Sequence, residues 1–295
     1  MPLVATLISN PHSRALTAPV VNMGAGEVGA TTVNWLADGI ACDLFLPEGS
    51  DAASAEAALR EVVAGQPLDV VIQNAENRRK RILIADMDST MIDQECIDEL
   101  ADEIGVKEHV AAITARSMNG EIAFEPALRE RVALLRGLDV AVIDRIIEGR
   151  LTLASGGREL VATMQHAGAW TALVSGGFTA FTSRIAEKLG FHENRANVLH
   201  AADGKLCGTV AEPILGREAK AAALIEIAAR LELDPSHAIA VGDGANDLDM
   251  LALAGSGVAL HAKPTVAAHA RMRIDHGDLT ALLYIQGYSL AEFAT

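Results

Sequence analysis

Short uninterrupted apolar runs recur after residue 81, and each ends at a polar or glycine residue. The runs cover residues 82–85 before Asp86, 172–174 before Ser175, and 238–241 before Gly242 and Asp243. Continuous apolar residues are typical of parallel strands that are buried on both faces. Helical patterns separate the runs, as in residues 221–231, where the apolar positions fall on one helix face. The pattern predicts a doubly wound α/β fold with Asp86, Ser175 and Asp243 together at the carboxyl ends of its strands.

A long insertion follows the first of these runs. The span of 69 residues from Asp86 to Ser155 far exceeds an ordinary connection between a strand and a helix. It carries helical patterns over residues 93–104, 107–118, 121–135 and 140–149. We therefore expect a helical cap, about residues 93–152, that covers the site, excludes water and reads the substrate.

Residues 1–77 show a different pattern and predict a small separate α+β domain. The predicted strands are residues 3–8, 33–36, 40–46 and 68–73, and the predicted helices are residues 26–36 and 51–64. The order βαββαβ is the ferredoxin-like arrangement, although the first helix and the second strand overlap in this prediction. We expect a domain boundary between residues 77 and 78, with residues 78–295 forming the second domain. The basic run 78–81 is interpreted as a solvated linker rather than a targeting signal.

Composition narrows the classes of function. The net charge of −15 and the 3% of aromatic residues argue against general binding to nucleic acids or anionic membranes. The three cysteines lie far apart, which excludes a disulfide framework and a cysteine zinc site. With no signal segment and no run of about 18 apolar residues, we expect a cytoplasmic protein.

Two glycine patterns imitate binding motifs. Residues 24–29 match G-x-G-x-x-G, with Asp43 at the distance expected of a ribose-binding acid. Pro19 leaves little room for a buried strand before them, and Asp43 falls inside a predicted strand, so we do not interpret them as a dinucleotide loop. Residues 155–157 repeat the Ser-Gly-Gly pattern, but no strong apolar run precedes them, and we interpret them as a helix start.

The chemistry is concentrated in a few polar residues that follow the predicted strands. Asp86 and Asp88 supply two carboxylates, one able to act as a nucleophile and the other as a proton donor and acceptor. Ser175 and Lys220 are able to hold a phosphate, and Asp86 with Asp243 is able to hold Mg²⁺. Each feature alone has a plainer interpretation: an Asx turn, a serine helix cap, or a surface lysine.

Together these motifs resemble the haloacid dehalogenase superfamily of phosphatases, over about residues 81–288. The shared order is D-x-D at 86–88, serine at 175, lysine at 220 and G-D-x-x-x-D at 242–247. The resemblance implies that Asp86 is the nucleophile and Asp88 the acid and then the base. It also implies that Mg²⁺ is bound by Asp86, Asp88 and Asp243, with the Met87 carbonyl. The phosphate is expected to contact Ser175, Gly176, Lys220 and Asn246. Asp247 is expected to support the site by pairing with Lys220.

Within the superfamily, the motifs and the cap resemble the phosphatases that act on O-phospho-L-serine. Glu95 matches the cap residue that binds the substrate ammonium, and Arg131 matches the one that binds its carboxylate. Met118 and Phe124 match the apolar lining. The plainer alternatives are an acid at a helix N-terminus for Glu95, and an exposed helix face paired with Glu125 or Glu130 for Arg129 and Arg131.

The implied reaction is Mg²⁺-dependent hydrolysis of O-phospho-L-serine to L-serine and phosphate through an aspartyl-phosphate, the last step of L-serine biosynthesis. The N-terminal domain resembles the ACT-like regulatory domains of some of these enzymes, which implies a homodimer and an amino-acid effector. Two alternatives remain open. One is a related phosphatase acting on homoserine phosphate, phosphothreonine or a sugar phosphate. The other is an amino-acid sensor on an inactive scaffold.

Overall fold

The computed structural model describes residues 2–294 and divides the chain into two units. The first unit contains the chain through Arg81, together with Ser155–Ala169 and the segment that begins at Met272. The second contains Ile82–Ala154 and Trp170–Arg271. No helix within the described residues is both long and apolar enough to cross a membrane.

The strands and helices alternate along most of the chain. The strands are β1 (Leu3–Ser9), β2 (Thr32–Ala37), β3 (Ala41–Phe45), β4 (Leu68–Asn74), β5 (Ile82–Ala85), β6 (Trp170–Phe178), β7 (Glu193–Asn197), β8 (Leu199–Ala202), β9 (Lys205–Val210), β10 (Ala238–Gly242), β11 (Ser256–Leu260) and β12 (Met272–Ile274). The helices are α1 (Ala18–Glu27), α2 (Ala52–Val62), α3 (Cys96–Asp102), α4 (Lys107–Met118), α5 (Phe124–Leu134), α6 (Ala141–Gly149), α7 (Gly157–His166), α8 (Thr179–Leu189), α9 (Arg217–Arg230), α10 (Leu248–Leu253), α11 (Pro264–Ala267) and α12 (Ala281–Ile285). Short 3₁₀ turns lie at Pro235–His237, Ala245–Asp247 and Leu290–Glu292.

The first unit is built on a four-stranded antiparallel sheet with the strand order β2-β3-β1-β4. Leu7 in β1 is opposite Cys42 in β3 on one side and Val70 in β4 on the other. Helices α1 and α2 pack on this sheet through a shared apolar core that includes Leu44 and Leu59. The predicted order βαββαβ is confirmed.

The predicted position of the first helix is wrong. Residues 26–36 were expected to be helical, but α1 occupies Ala18–Glu27 and β2 begins at Thr32. Pro19 lies in the first turn of α1, where its fixed φ and missing N–H are tolerated. The β-branched residues from Thr31 to Val33 favour the extended conformation that they adopt here.

The first glycine of the G-x-G-x-x-G pattern allows close helix packing. Gly24 lies inside α1, and a Cβ added there would come 3.1 Å from Leu59 Cδ2. A dinucleotide loop requires these glycines at a turn between a strand and a helix. The motif therefore does not have the geometry of such a loop.

The basic run 78–81 is not a solvated linker, which corrects the sequence interpretation. Arg78 forms an ion pair with Asp43, whose side chain is buried and also accepts a hydrogen bond from Thr6 Oγ1 at 2.8 Å. Arg79 lies 2.7 Å from Glu292 and stacks over the Tyr288 ring. A buried carboxylate such as that of Asp43 requires a charged partner, and the run supplies one.

Two later segments belong to the first unit, whereas the predicted boundary placed them in residues 78–295. Buried Asp69 in β4 accepts hydrogen bonds from the backbone N–H groups of Asp275, His276 and Gly277, at 2.8, 3.1 and 2.7 Å. Ser155 Oγ donates to Asp278 at 2.6 Å, just before α7 begins at Gly157. The predicted helix start at residues 155–157 is thus confirmed.

The second unit contains the predicted parallel sheet. Its strands lie in the order β11-β10-β5-β6-β7, and all of these neighbours pair in parallel. Every residue of β5, β10 and β11 is buried, as the continuous apolar runs predicted. Helix α9 packs its apolar face, including Leu224 and Ile227, into the core of this sheet. The doubly wound α/β class is confirmed.

The insertion after β5 folds into the four predicted helices, α3 to α6. Their bounds are close to the predicted ones, and α4 matches residues 107–118. The sequence analysis missed the β8–β9 hairpin, which packs against α5 through β9.

Candidate active site

The first aspartate motif lies where β5 ends beside β10. The Asp86 backbone N–H donates to the Val241 carbonyl at 3.0 Å, which continues the ladder between the two strands by one residue. The chain then leaves the extended conformation, and Ser89 adopts a left-handed φ of 54°. This turn brings Asp86 and Asp88 to the same cavity, as the sequence predicted.

Lys220 pairs with two of the motif carboxylates. Its Nζ lies 2.7 Å from Asp86 Oδ1 and 2.7 Å from Asp247 Oδ1, and its side chain is fully buried. Burial alone would lower the pKa of Lys220, but the carboxylates of Asp247 and Asp86 outweigh it and raise the pKa above the ordinary value. Lys220 is therefore a fixed positive charge behind Asp86.

Three buried carboxylates form a cluster able to hold a cation. Oxygens of Asp86, Asp243 and Asp247 lie within 4.8 Å of one another. Burial, with repulsion from Asp86 and Asp247, raises the pKa of Asp243 to about 8. Burial and Asp86 likewise raise the pKa of Asp247 to about 7, against the opposing effect of Lys220. This concentration of negative charge on oxygen donors fits a hard divalent cation.

Asp88 is not a member of that cluster, although the sequence analysis placed it among the metal ligands. Its Oδ1 accepts a hydrogen bond from the Cys96 N–H at 2.8 Å, and its Oδ2 accepts one from Ser175 Oγ at 3.3 Å. Burial, with a contribution from the Asp86 charge, raises the pKa of Asp88 to about 6. A carboxyl group with that pKa can carry a proton near neutral pH, as a general acid must.

The Ser-Gly-Gly segment forms the wall of the cavity next to Asp88. It lies in the last part of β6, which extends to Phe178. A Cβ at Gly177 would come 2.7 Å from Asp88 Oδ2, so only glycine permits this close approach. Asn197, which the sequence analysis missed, holds the segment by donating from Nδ2 to the Gly176 carbonyl at 2.8 Å. The same side chain accepts from the Leu215 N–H at 2.7 Å, which connects the segment to the chain before α9.

The cap supplies a carboxylate and a guanidinium to the same cavity. Glu95 accepts a hydrogen bond from Ser89 Oγ at 2.8 Å. Burial and the charges of Asp88 and Asp243 raise the pKa of Glu95 well above its usual range. Arg131 is only 2% exposed, which contradicts its alternative placement on an exposed helix face. Arg129 is the exposed arginine of α5, and it pairs with Glu212 at 2.5 Å.

One cavity collects the predicted residues. Its lining includes ten of them: Asp86, Asp88, Glu95, Met118, Phe124, Arg131, Ser175, Gly176, Asp243 and Asn246. The other two, Lys220 and Asp247, lie behind Asp86. The lining also includes Leu128, which was missed although it follows Phe124 by one helical turn on the same face of α5.

Lys263 and Thr90 are further contacts of Asp243 that the sequence analysis missed. Lys263 Nζ lies 3.3 Å from Asp243 Oδ2, and Thr90 Oγ1 donates to Asp243 Oδ1 at 3.3 Å. Lys263 comes shortly after β11, the strand beside β10. The rule that carboxyl ends of parallel strands form the site could have identified it.

Comparisons with known proteins agree with this geometry. Residues 83–252 match the family model of the haloacid dehalogenase-like hydrolases. A phosphoserine phosphatase of Polaromonas sp. is 43% identical over 228 residues, which cover 76% of this chain and 97% of that protein.

Solved structures extend the likeness to the fold. A haloacid dehalogenase family hydrolase of Salmonella enterica serovar Typhi superposes with a TM-score of 0.85 at 28% identity, covering 98% of this chain and 99% of that one. A phosphoserine phosphatase solved as a phospho-aspartyl intermediate analogue has a TM-score of 0.67 at 39% identity and covers 70% of this chain and 98% of its own. The chain belongs to the haloacid dehalogenase-like hydrolase family and, within it, to the group of the phosphoserine phosphatases.

Proposed function

We propose that this chain hydrolyses O-phospho-L-serine to L-serine and phosphate, the last step of L-serine biosynthesis. The observation that carries the proposal is that Glu95 and Arg131 line the same cavity as Asp86 and Asp88. Hydrolysis of a phosphomonoester requires the two aspartates, whereas a zwitterionic amino-acid substrate requires a carboxylate and a guanidinium beside them. The names of the relatives point to the same substrate.

Asp86 is the nucleophile in this proposal. Its carboxylate attacks phosphorus, so that an oxygen–phosphorus bond forms on Asp86 while the bond between phosphorus and the serine oxygen breaks. Lys220 and the Met87 N–H, which donates to Asp86 Oδ1 at 2.8 Å, hold the carboxylate in one orientation. A preoriented nucleophile avoids much of the entropic cost of the attack. The solved phospho-aspartyl analogue of a relative supports this assignment.

Asp88 moves the protons. In its protonated form it donates to the serine oxygen as that oxygen leaves, and the resulting carboxylate then takes a proton from water. The oxygen of that water bonds to phosphorus and displaces Asp86, which regenerates the free enzyme. The pKa of about 6 suits a group that acts as an acid in one step and as a base in the next.

We assign the phosphoryl group to Ser175, Gly176, Lys220 and Asn246, and Mg²⁺ to the carboxylates of Asp86 and Asp243 with Asp247 beside them. The fit rests on the clustered oxygens and on the raised pKa values of Asp243 and Asp247. When bound, the ion neutralises charge on the phosphoryl oxygens. The Ser175 hydroxyl and the Gly176 backbone present dipoles to those oxygens from the β6 side.

Substrate recognition is assigned to the cap. The Arg131 guanidinium binds the substrate carboxylate, and Glu95 binds the ammonium. Met118 and Phe124 contact the short aliphatic part between them. The raised pKa of Glu95 fits this role, because the ammonium of the substrate would supply a positive charge beside this buried carboxylate.

The N-terminal βαββαβ segment is assigned an ACT-like role, in which it pairs subunits as a homodimer and binds an amino-acid effector. The support is its strand order and its position before the phosphatase residues. Sedimentation of the purified protein tests the homodimer, and calorimetric titration with L-serine tests the effector.

A substrate panel tests the proposed reaction. We expect kcat/KM for O-phospho-L-serine to exceed the values for homoserine phosphate, phosphothreonine and a sugar phosphate, and EDTA to abolish turnover until Mg²⁺ is restored. Equal or better turnover of a sugar phosphate would refute the assignment of Glu95 and Arg131. Turnover that is unaffected by EDTA would refute the metal assignment.

A further inference from the structure

The guanidinium of Arg131 is fixed at two of its nitrogens by the protein. Its Nε donates to the Ala127 carbonyl at 3.0 Å, one turn earlier in α5. Its Nη1 donates to Thr114 Oγ1 at 2.9 Å, and Thr114 lies in α4. These two bonds use the N–H of Nε and one N–H of Nη1, which lie on opposite edges of the planar guanidinium. The Nη2 N–H groups remain for a ligand in the cavity that Arg131 lines.

The Thr114 hydroxyl connects Arg131 to a carboxylate. Thr114 is 4% exposed, and its Oγ1 lies 2.9 Å from Asp98 Oδ1 and 3.1 Å from the Val110 carbonyl. A hydroxyl has one proton to donate and lone pairs to accept with. Its proton therefore goes to one of these two acceptors, and a lone pair faces the Arg131 N–H.

This arrangement leaves the charge of Arg131 available to a substrate. Glu95 and Asp98 both act on the guanidinium through their fields, and Asp98 is also connected to it through the neutral hydroxyl of Thr114. If a carboxylate of the protein were bound bidentately to the guanidinium, it would occupy the N–H groups that a substrate carboxylate needs. A hydroxyl orients the fork without neutralising it.

We propose that Thr114 is a positioning residue that orients the Arg131 guanidinium and thereby sets the preference of the enzyme for a substrate carboxylate. The inference rests on the proposed function, because it requires that Arg131 bind the carboxylate of O-phospho-L-serine. Thr114 acts only through Arg131.

The test compares two substrates that differ in the group concerned. O-phosphoethanolamine carries the phosphate and the ammonium of O-phospho-L-serine but has no carboxylate. Thr114→Val removes the hydroxyl at nearly constant shape, and Thr114→Ser retains it as the matched control. We expect Thr114→Val to lower kcat/KM for O-phospho-L-serine about tenfold, mainly because KM rises. This is the size of effect expected when one hydrogen bond to a charged group is lost.

The control measurements separate positioning from a general structural effect. We expect O-phosphoethanolamine to be turned over by Thr114→Val within about twofold of the wild-type rate, and Thr114→Ser to restore the wild-type preference. Thr114→Ala, which also lacks the hydroxyl, should repeat the result if the valine variant does not fold. An equal loss on both substrates, or an unchanged preference in the valine and alanine variants, would overturn the inference.

The same assay distinguishes failure of this inference from failure of the proposed function. If the wild-type enzyme prefers O-phospho-L-serine and Arg131→Ala removes that preference, the proposed function stands whatever Thr114 does. If the wild-type enzyme shows no preference between the two substrates, both the assignment of Arg131 and the role of Thr114 are refuted.

Discussion

Lys220 Nζ lies 2.7 Å from Asp86 Oδ1, and both side chains are almost completely removed from solvent. The same ammonium contacts Asp247, so one lysine holds two carboxylates that would otherwise repel each other. Removing one member of a buried ion pair leaves an uncompensated charge, which typically costs about 3–5 kcal/mol. The pair therefore connects the stability of the second unit to the orientation of the Asp86 carboxylate.

Substitution of Lys220 tests that connection. We expect Lys220→Met to lower the free energy of unfolding by about 3 kcal/mol and to reduce kcat to near the detection limit. Urea unfolding followed by circular dichroism measures the first effect, and phosphate release measures the second. The control is Lys188→Met at an exposed position of α8, which should change neither quantity. A Lys220→Met variant with wild-type stability would show that the pair contributes no net free energy.

The two arginines of α5 provide a matched pair for substrate recognition. Arg131 is buried and lines the cavity, whereas Arg129 is exposed and pairs with Glu212. We expect Arg131→Ala to raise KM for O-phospho-L-serine on the order of a hundredfold, because a charged contact to the substrate is lost. Arg129→Ala should stay within about twofold of the wild type, as is usual for an exposed ion pair. Comparable KM values for the two variants would contradict the assignment of the carboxylate to Arg131.

Substitution of Gly177 tests how closely the Asp88 carboxyl group must approach β6. A methyl group there would come 2.7 Å from Asp88 Oδ2. We expect Gly177→Ala to displace that carboxyl group and lower kcat about a hundredfold, as for a misplaced catalytic group. Gly149→Ala is the control, because a Cβ there meets nothing within 4 Å. Full activity in Gly177→Ala would mean that the position of Asp88 is not critical for proton transfer.

The lowered pKa of Glu193 in β7 predicts that part of the stability of the fold is lost at acidic pH. Burial would raise its pKa, but hydrogen bonds from Arg230 and Trp170 outweigh burial and lower the pKa below the ordinary value. A depressed pKa in the folded state contributes stability above the unfolded pKa, and that stability is lost as the pH falls through the folded value. We expect Glu193→Gln to be destabilised at neutral pH and to show a smaller loss of stability on acidification. Unfolding curves between pH 3 and pH 7 measure this, and parallel pH profiles for the two proteins would refute it.

The sequence predicts those parts of the site that follow from local pattern. Asp86, Ser175 and Asp243 each follow an apolar run, and the rule for parallel strands is enough to place them at one sheet edge. The cap helices are predicted because their apolar residues recur with the helical period. Lys220 is identified only by its place in the order of the motifs, because the sequence of α9 does not indicate whether a lysine there is buried or exposed.

Much of what the sequence analysis missed depends on contacts between residues that are distant in sequence. The Arg78 side chain is only 11% exposed because it meets Asp43, 35 positions earlier. The three carboxylates that could hold a cation include Asp247 and not Asp88, because the turn after β5 directs Asp88 towards Cys96 and Ser175. The assignment of Asp88 to the metal stays a prediction. Asn197 and Thr114 are uncharged and lie outside every motif, so only their hydrogen bonds reveal them.

The nucleophilic role of Asp86 is tested by phosphate release from O-phospho-L-serine by the wild-type protein and by Asp86→Asn, each with Mg²⁺ and with EDTA. Asparagine preserves the shape of Asp86 but removes the carboxylate that attacks phosphorus. We expect turnover by the wild type with Mg²⁺, none with EDTA, and none by Asp86→Asn in either condition. Turnover by Asp86→Asn at a rate near that of the wild type would contradict that role, because the reaction would then proceed without this nucleophile.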